Sequence, residues 1–216
     1  MQTRILATGL ALILLAAVAP AARAGTIYDN FGSGDSYVPA SWAISGPSSP
    51  TFSEIDTAAP FTPGTTAQVG SIELPLIYVQ GTNSLVVKLL GDSSGLPDEG
   101  TVLESWTLSG ISDSSTIYTL TSLVNPTVTA GTQYWVAAFA GASDSLHGWN
   151  YNNTGVTGFA TDQHLGSGWT LWTSSSSLTP AFRVSVVPLP DTGSMGLGLL
   201  TLLGTVYLFR RSKAAF

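Results

Sequence analysis

Between residues 25 and 187 apolar side chains recur at every second position, and no helix-period stripe runs longer than a few residues. A period of two marks strands with one face on a core and the other in solvent. Ile72, Leu74, Leu76 and Tyr78 share one face of such a run. Pro75 lies inside it and predicts an edge position or a bulge, because proline cannot donate to a ladder. Leu85, Val87 and Leu89 alternate with Val86, Lys88 and Leu90. Further runs are expected at 102–108, 116–124, 133–140, 148–151, 168–172 and 181–187. Within 133–140, Tyr134, Val136 and Ala138 face one way and Trp135, Ala137 and Phe139 the other. A strand apolar on both faces is expected to be central and covered. Clusters of Gly, Ser, Asn, Asp and Pro at 91–100, 109–115, 125–131, 141–145 and 174–177 supply the turns. The first of these reads as a long hairpin connection, punctuated by Pro97 and its glycines. Short strands with turn chemistry every ten or so residues predict an all-β fold, an antiparallel β-sandwich of jelly-roll type.

The two ends break this pattern. Residues 1–4 are a short basic start, 5–19 an almost unbroken apolar run, and Ala22-Arg23-Ala24 sets small side chains at the two positions a signal peptidase reads. Together they describe a secretory signal helix over 1–24, cleaved before Gly25. The apolar run is shorter than the roughly 20 residues a membrane-spanning helix needs. At the other end Pro188-Leu189-Pro190-Asp191-Thr192-Gly193-Ser194 is an extended, turn-prone linker. Residues 195–209 follow as mostly Leu, Gly and aromatic side chains without a polar face, and Arg210, Arg211 and Lys213 close the segment. A transmembrane helix ending in cations keeps those cations on the cytoplasmic side and leaves the preceding domain outside. The expected organisation is a signal peptide at 1–24, a β domain at 25–187 and a sorting and anchoring segment at 188–216.

Charge sharpens that division. Of seven Lys and Arg, five (Arg4, Arg23, Arg210, Arg211, Lys213) lie in the end segments, while all thirteen Asp and Glu lie between Asp29 and Asp191. Residues 25–194 therefore hold two bases, Lys88 and Arg183, against thirteen acids, a net charge of −11. So acidic a body repels a phosphate backbone, which excludes nucleic acid as a partner. The chain has no cysteine, hence no disulfide, no zinc–thiolate site and no thiol nucleophile.

The tail resembles the tripartite sorting signals of exported bacterial proteins. Pro190-Asp191-Thr192-Gly193-Ser194, a short Gly/Leu helix and Arg210-Arg211 resemble the exosortase-associated PEP-CTERM group, in its VPDSG-type variant. The departure is Leu189, where that variant has Val before Pro-Asp. Leu189 to Gly193 also matches the LPxTG motif of sortase substrates residue for residue, which implies cleavage between Thr192 and Gly193 and attachment to peptidoglycan. The short apolar run favours the exosortase reading. The body resembles bacterial surface modules called choice-of-anchor domains, the R type in particular. The residues that carry this are Asn30-Phe31-Gly32-Ser33-Gly34-Asp35-Ser36-Tyr37, Trp42-Ala43-Ile44-Ser45-Gly46, Ala59-Pro60-Phe61-Thr62-Pro63-Gly64, Ser71-Ile72-Glu73-Leu74-Pro75-Leu76, Val87-Lys88-Leu89-Leu90, Gly95-Leu96-Pro97, Val102-Leu103-Glu104-Ser105, Ala130-Gly131-Thr132-Gln133-Tyr134-Trp135-Val136 and Gly148-Trp149-Asn150-Tyr151. These resemblances imply an exported, non-enzymatic protein of the bacterial surface or extracellular matrix, with a structural or adhesive role in exopolysaccharide or biofilm. Its implied partners are signal peptidase and the export machinery, an exosortase-like or sortase processing enzyme, the membrane through the C-terminal helix, and exopolysaccharide.

Candidate chemistry is sparse. His147 and His164 are the two histidines; Asp144 and Ser145 stand near the first, yet no G-x-S-x-G elbow occurs, and a hydrogen-bonding role in a loop is the default for His147. Glu73 and Glu104 lie in strand runs and would be the pair for glycoside hydrolysis, although alternation makes them solvent-facing. Asp92, Asp98 and Glu99 share one expected loop where calcium is conceivable, but Leu96 stands where an EF-hand ligand is needed. No cofactor and no metal ligand is assigned. Aromatic residues are the remaining hint: Trp149, Tyr151, Trp169 and Trp172 fall in a Gly/Asn-rich segment with Asn150, Asn152, Asn153 and Gln163 interleaved. Exposed rings stack sugar faces and amides bond hydroxyls, so glycan contact by a carbohydrate-binding module is the alternative to plain core packing.

Overall fold

The alternating runs pair into strands throughout. The computed structural model describes residues 25–162 and 168–187, which lie in one unit, Ala24–Pro188. Its strands are β1 (Thr26–Asp29), β2 (Val38–Ser45), β3 (Asp56–Phe61), β4 (Ala67–Gln80), β5 (Ser84–Ser93), β6 (Leu96–Ser109), β7 (Thr116–Thr121), β8 (Thr127–Val128), β9 (Tyr134–Ala140), β10 (Leu146–Tyr151), β11 (Phe159–Asp162), β12 (Thr170–Trp172) and β13 (Arg183–Val186). Among the described residues there is no helix. The expected signal helix and transmembrane helix, with Ala22, Ala24, residues Leu189 to Ser194, Arg210, Arg211 and Lys213, lie outside the described residues, as do Gln163 and His164.

Two antiparallel sheets make the fold. In the seven-stranded sheet, β4 is the spine. One of its edges carries β7 along 71–76 and β8 at 67–68. The other takes β13 along 69–73 and then β10 along 76–80. β1 pairs beyond β13 and β2 beyond β10. The six-stranded sheet runs β12-β11-β3-β9-β5-β6. Between the sheets, Ile72, Leu74, Leu76, Trp149 and Val184 of the first meet Leu85, Val87, Leu89, Val136 and Ala138 of the second, with Phe61 and Phe182 among them. Each Val, Leu, Ile or Phe among them, fully withdrawn from water, contributes about 1.5–3 kcal/mol. A smaller cluster of Ala58, Leu90, Trp135, Ala137 and Ala160 covers the outer face of the second sheet. β9 is therefore apolar on both faces because both are covered, and it lies between β3 and β5.

Two sequence expectations are corrected here. Pro75 marks neither an edge nor a bulge; it sits in the spine strand opposite Ile117. Tyr78 N–H donates to Ser112 on the β7 side, and strand alternation turns position 75 toward the other edge. There β13 has ended at Glu73 and β10 begins at Leu76, so the missing N–H interrupts no ladder. Residues 91–100 are not a long connection. Pairing continues through Asp92↔Pro97 and Ser93↔Leu96, and the loop is only Ser94 and Gly95, with φ of 57° and 83°. Two positive φ angles in a two-residue hairpin describe a type I′ turn, whose twist matches that of the strands.

Candidate functional site

β2 is paired with β10 on one side only, and the end of the second sheet formed by β3, β11 and β12 lies across from it. The Thr57 hydroxyl donates to Ala43 C=O at 3.0 Å and ties β3 to β2. The loop between them is pinched at its base, where Ser45 and Ile55 exchange both backbone hydrogen bonds at 2.9 Å. Between these elements opens a cleft of about 290 Å³, lined by Ser41, Trp42, Ala43, Phe52, Ile55, Thr57, Tyr151, Phe159, Thr161 and Trp172. None of these residues carries a charge.

The cleft is built of rings whose polar edges are tied inward. Trp42 Nε1–H donates to Leu178 C=O at 2.8 Å, Tyr151 O–H to Ser41 C=O at 3.0 Å, and Trp172 Nε1–H to the Thr161 hydroxyl at 2.9 Å. The rings also support one another. Trp42 packs at 4.1 Å between centroids on Phe159 and at 5.2 Å on Tyr151, and Trp172 lies nearly parallel to Phe159, at 12° and 6.4 Å. Phe159 is wholly buried, whereas Phe52 is 46% and Trp172 43% exposed. Burial pushes the Tyr151 phenol above its ordinary pKa, so it remains a neutral donor.

The structure thus brings two of the four sequence-nominated aromatics together, Tyr151 and Trp172. Trp149 is corrected: it is fully buried, its Nε1–H donates to Ala181 C=O at 2.7 Å, and its ring meets Phe182 edge-on. The reason is its register, since Trp149 is paired with both β4 and β2 while Tyr151 lies past the last β4 pair. Trp169 does not line the cleft; it packs on the second sheet's outer cluster, edge-on to Phe139 at 5.9 Å, and bonds Glu99. Of the interleaved amides, Asn150 and Asn152 serve the backbone. Asn150 and Asn152 are buried. Asn152 donates to Val156 and Thr179 carbonyls and accepts from Thr154 and Val156 N–H. Asn153 bonds Ser36. Sequence reading missed Trp42, Phe52 and Phe159 as site residues, because β2 and β3 carry too little alternation to be recognised and Phe52 stands in a loop.

The residues weighed for catalysis sit elsewhere. His147 belongs to strand β10, not a loop, and is buried against Tyr78. Its Nε2 lies 3.5 Å from Asn83 Oδ1, its Nδ1 has no partner, and burial pushes its pKa down to about 4. Ser145 and Asp144 both turn to Thr82 instead. Glu73 pairs with Arg183 at 2.8 Å, one of three carboxylates around that guanidinium with Asp29 and Asp35. Glu104, expected to face solvent, is 7% exposed. It accepts from the Ser122 hydroxyl and from Leu123 and Val124 N–H, holding the turn after β7. Asp92, Asp98 and Glu99 are not in one loop but on paired strands. Asp92 accepts from Gln133, Trp135 and Gly95 N–H, and Asp98 from Gly100 and Thr101. Among the described residues no group of three or more His, Cys, Asp or Glu is placed to hold a metal ion. Asp56 is the most perturbed carboxyl among the described residues, pushed up to about 7 by burial and by the negative charges of Glu54, Asp162 and Glu99.

The chain's exit points are also defined. Gly25, the expected first residue after signal cleavage, accepts at its carbonyl from Val186 N–H at 2.8 Å. The two ends of the domain therefore leave side by side from the β1–β13 pair, while the cleft is built on the β10–β2 branch of the same sheet. No protein-family model, curated protein or solved structure matches this chain.

Proposed function

We propose that this chain is an exported, non-enzymatic β-sandwich of the bacterial cell surface or extracellular matrix, delivered by its leader and sorted through residues 189–194 by an exosortase-type enzyme. The observation that carries the reading is the adjacency of Gly25 and Val186. A domain whose ends emerge together can lose its leader and hang from one stalk with the cleft-bearing branch free. The arrangement of polar groups supports a role without catalysis. His147 is buried and neutral at physiological pH, Glu104 and Asp92 are consumed by structural hydrogen bonds, and the one cleft side chain that titrates, Tyr151, donates to backbone. The acidic surface keeps such a domain soluble and apart from anionic polymers.

Fractionation of the producing cell tests this. Ala24→Asp, which puts a charged side chain where a small one is read, is expected to leave an uncleaved precursor at the membrane. Removal of 188–216 is expected to release the domain from the cell instead of retaining it on the surface. Retention of both variants in the cytoplasm, together with the parent chain, would refute export.

A further inference from the structure

We infer that the cleft between β2 and the β11–β12 end of the second sheet binds a neutral sugar ring, through stacking on Trp172 and Phe52 and hydrogen bonding to Thr161. This goes beyond the display reading and does not depend on how the chain is tethered. Four features specify the ligand. First, the rings offer faces rather than edges: the N–H of Trp172 and Trp42 and the O–H of Tyr151 are all engaged within the protein. A ligand that needs hydrogen bonds from those edges finds none, whereas the C–H face of a pyranose needs only an aromatic plane. Second, the Trp172 face is fixed in advance. Trp172 is held by Thr161 and lies nearly parallel to buried Phe159, so little side-chain freedom is lost on binding. Third, the floor has a hydroxyl with a donor to spare. Thr161 Oγ1 accepts from Trp172, which leaves its O–H to donate. Thr57 beneath it is fully buried and bonded to Ala43, so it shapes the floor without reaching the ligand. A sugar hydroxyl oxygen accepts the Thr161 hydrogen bond. Fourth, charge selects neutrality, because the lining is uncharged within a strongly acidic body, and an anionic sugar would be repelled without a base to receive it.

Size sets the scale of the complex. The cleft of about 290 Å³ stands at the low end of ligand pockets, fitting one or two rings of a longer chain whose ends remain in solvent. Affinity of the order of ~0.01–1 mM is the consequence of so small a contact; repetition of the site on a surface would raise it by multivalency.

The test uses the full chain, purified in a detergent without a sugar headgroup, and titration calorimetry with cellotetraose, laminaritetraose, maltotetraose and mannotetraose. Tetragalacturonate serves as the anionic counterpart and cyclohexanol as the apolar one. Expected is saturable binding of at least one neutral tetrasaccharide, with little or none of tetragalacturonate. Trp172→Ala and Phe52→Ala should each weaken it about tenfold or more, Trp172→Phe should retain most of it, and Trp169→Ala, outside the cleft, should leave it unchanged. Near-ultraviolet circular dichroism and thermal melting of each variant separate lost binding from lost folding, and both substituted rings are exposed enough to be replaced without opening the core. Three results would each overturn the inference: no heat from any neutral tetrasaccharide at ~10 mM, tighter than which even weak sites bind; saturation by cyclohexanol alone; or unaltered saccharide affinity in a folded Trp172→Ala.

Discussion

His147 and Asp56 show how burial acts in opposite directions on a base and an acid. The imidazole is pushed down from 6.5 to about 4, so the unfolded chain takes up its proton first. Its contribution is complete above pH 6.5 and is lost as pH falls toward 4. The Asp56 carboxyl is pushed up from 3.8 to about 7; it stays protonated in the fold while the unfolded chain ionises, so its contribution is lost as pH rises from 3.8 toward 7. The two slopes oppose each other across one window. In urea unfolding from pH 4 to 7, Asp56→Asn should make stability climb with pH and His147→Gln should make it decline, with the parent flatter than both. Parallel profiles in all three would contradict these assignments. Glu104 provides a second check. It bonds two backbone N–H groups and a hydroxyl from a buried position, and Glu104→Gln leaves one of them facing an amide, at a cost of about 1–3 kcal/mol by denaturant titration. A loss within experimental scatter would return Glu104 to the solvent-facing role that alternation gives it. That role is where residue-level reading failed: period two distinguishes two faces of a strand but not an outer face covered by the neighbouring turn.

At the scale of elements, the sequence was legible wherever one strand carried enough apolar alternation to declare itself. β9 is the clearest case, since Tyr134 to Phe139 show both faces apolar and the strand is covered on both. β2 and β3 were not legible. Pro39 and the small residues of β2, and Asp56 through Pro60 in β3, give short runs without contrast, so periodicity does not mark the two strands that flank the cleft and nothing in the pattern singles out Trp42 as a site residue. Turn chemistry misled at the β5–β6 hairpin, where a Gly, Ser, Asp and Pro cluster reads as one long loop although pairing continues to Ser93↔Leu96 and only Ser94 and Gly95 form the turn, with residues 99–101 bulging from the ladder further down. Because Ser94 has φ of 57°, a region asparagine tolerates better than serine, Ser94→Asn is expected to stabilise the domain by about 0.5 kcal/mol, seen as a small rise in melting temperature. A fall would mean the turn is not of the I′ class.

For the molecule as a whole, the aromatic signal was half legible: sequence proximity of Trp149, Tyr151, Trp169 and Trp172 does not decide which side of a sheet each one meets. Register sends Trp149 to the core, Trp169 packs on the outer face from just before β12, and of the four only Tyr151 and Trp172 reach the cleft. The division of labour between an acidic middle and two apolar ends is a different kind of statement, read from charge and hydropathy along the chain and joined to the fold through the side-by-side exit at Gly25 and Val186. Its most direct test is mass spectrometry of the protein recovered from the envelope and medium of the cells that make it. Expected is a chain that begins at Gly25 and ends within or just before residues 189–194, with a terminus at Thr192 bound to peptidoglycan assigning the tail to a sortase instead of an exosortase. A chain recovered from the cytoplasm with Met1 and Phe216 both in place would contradict it.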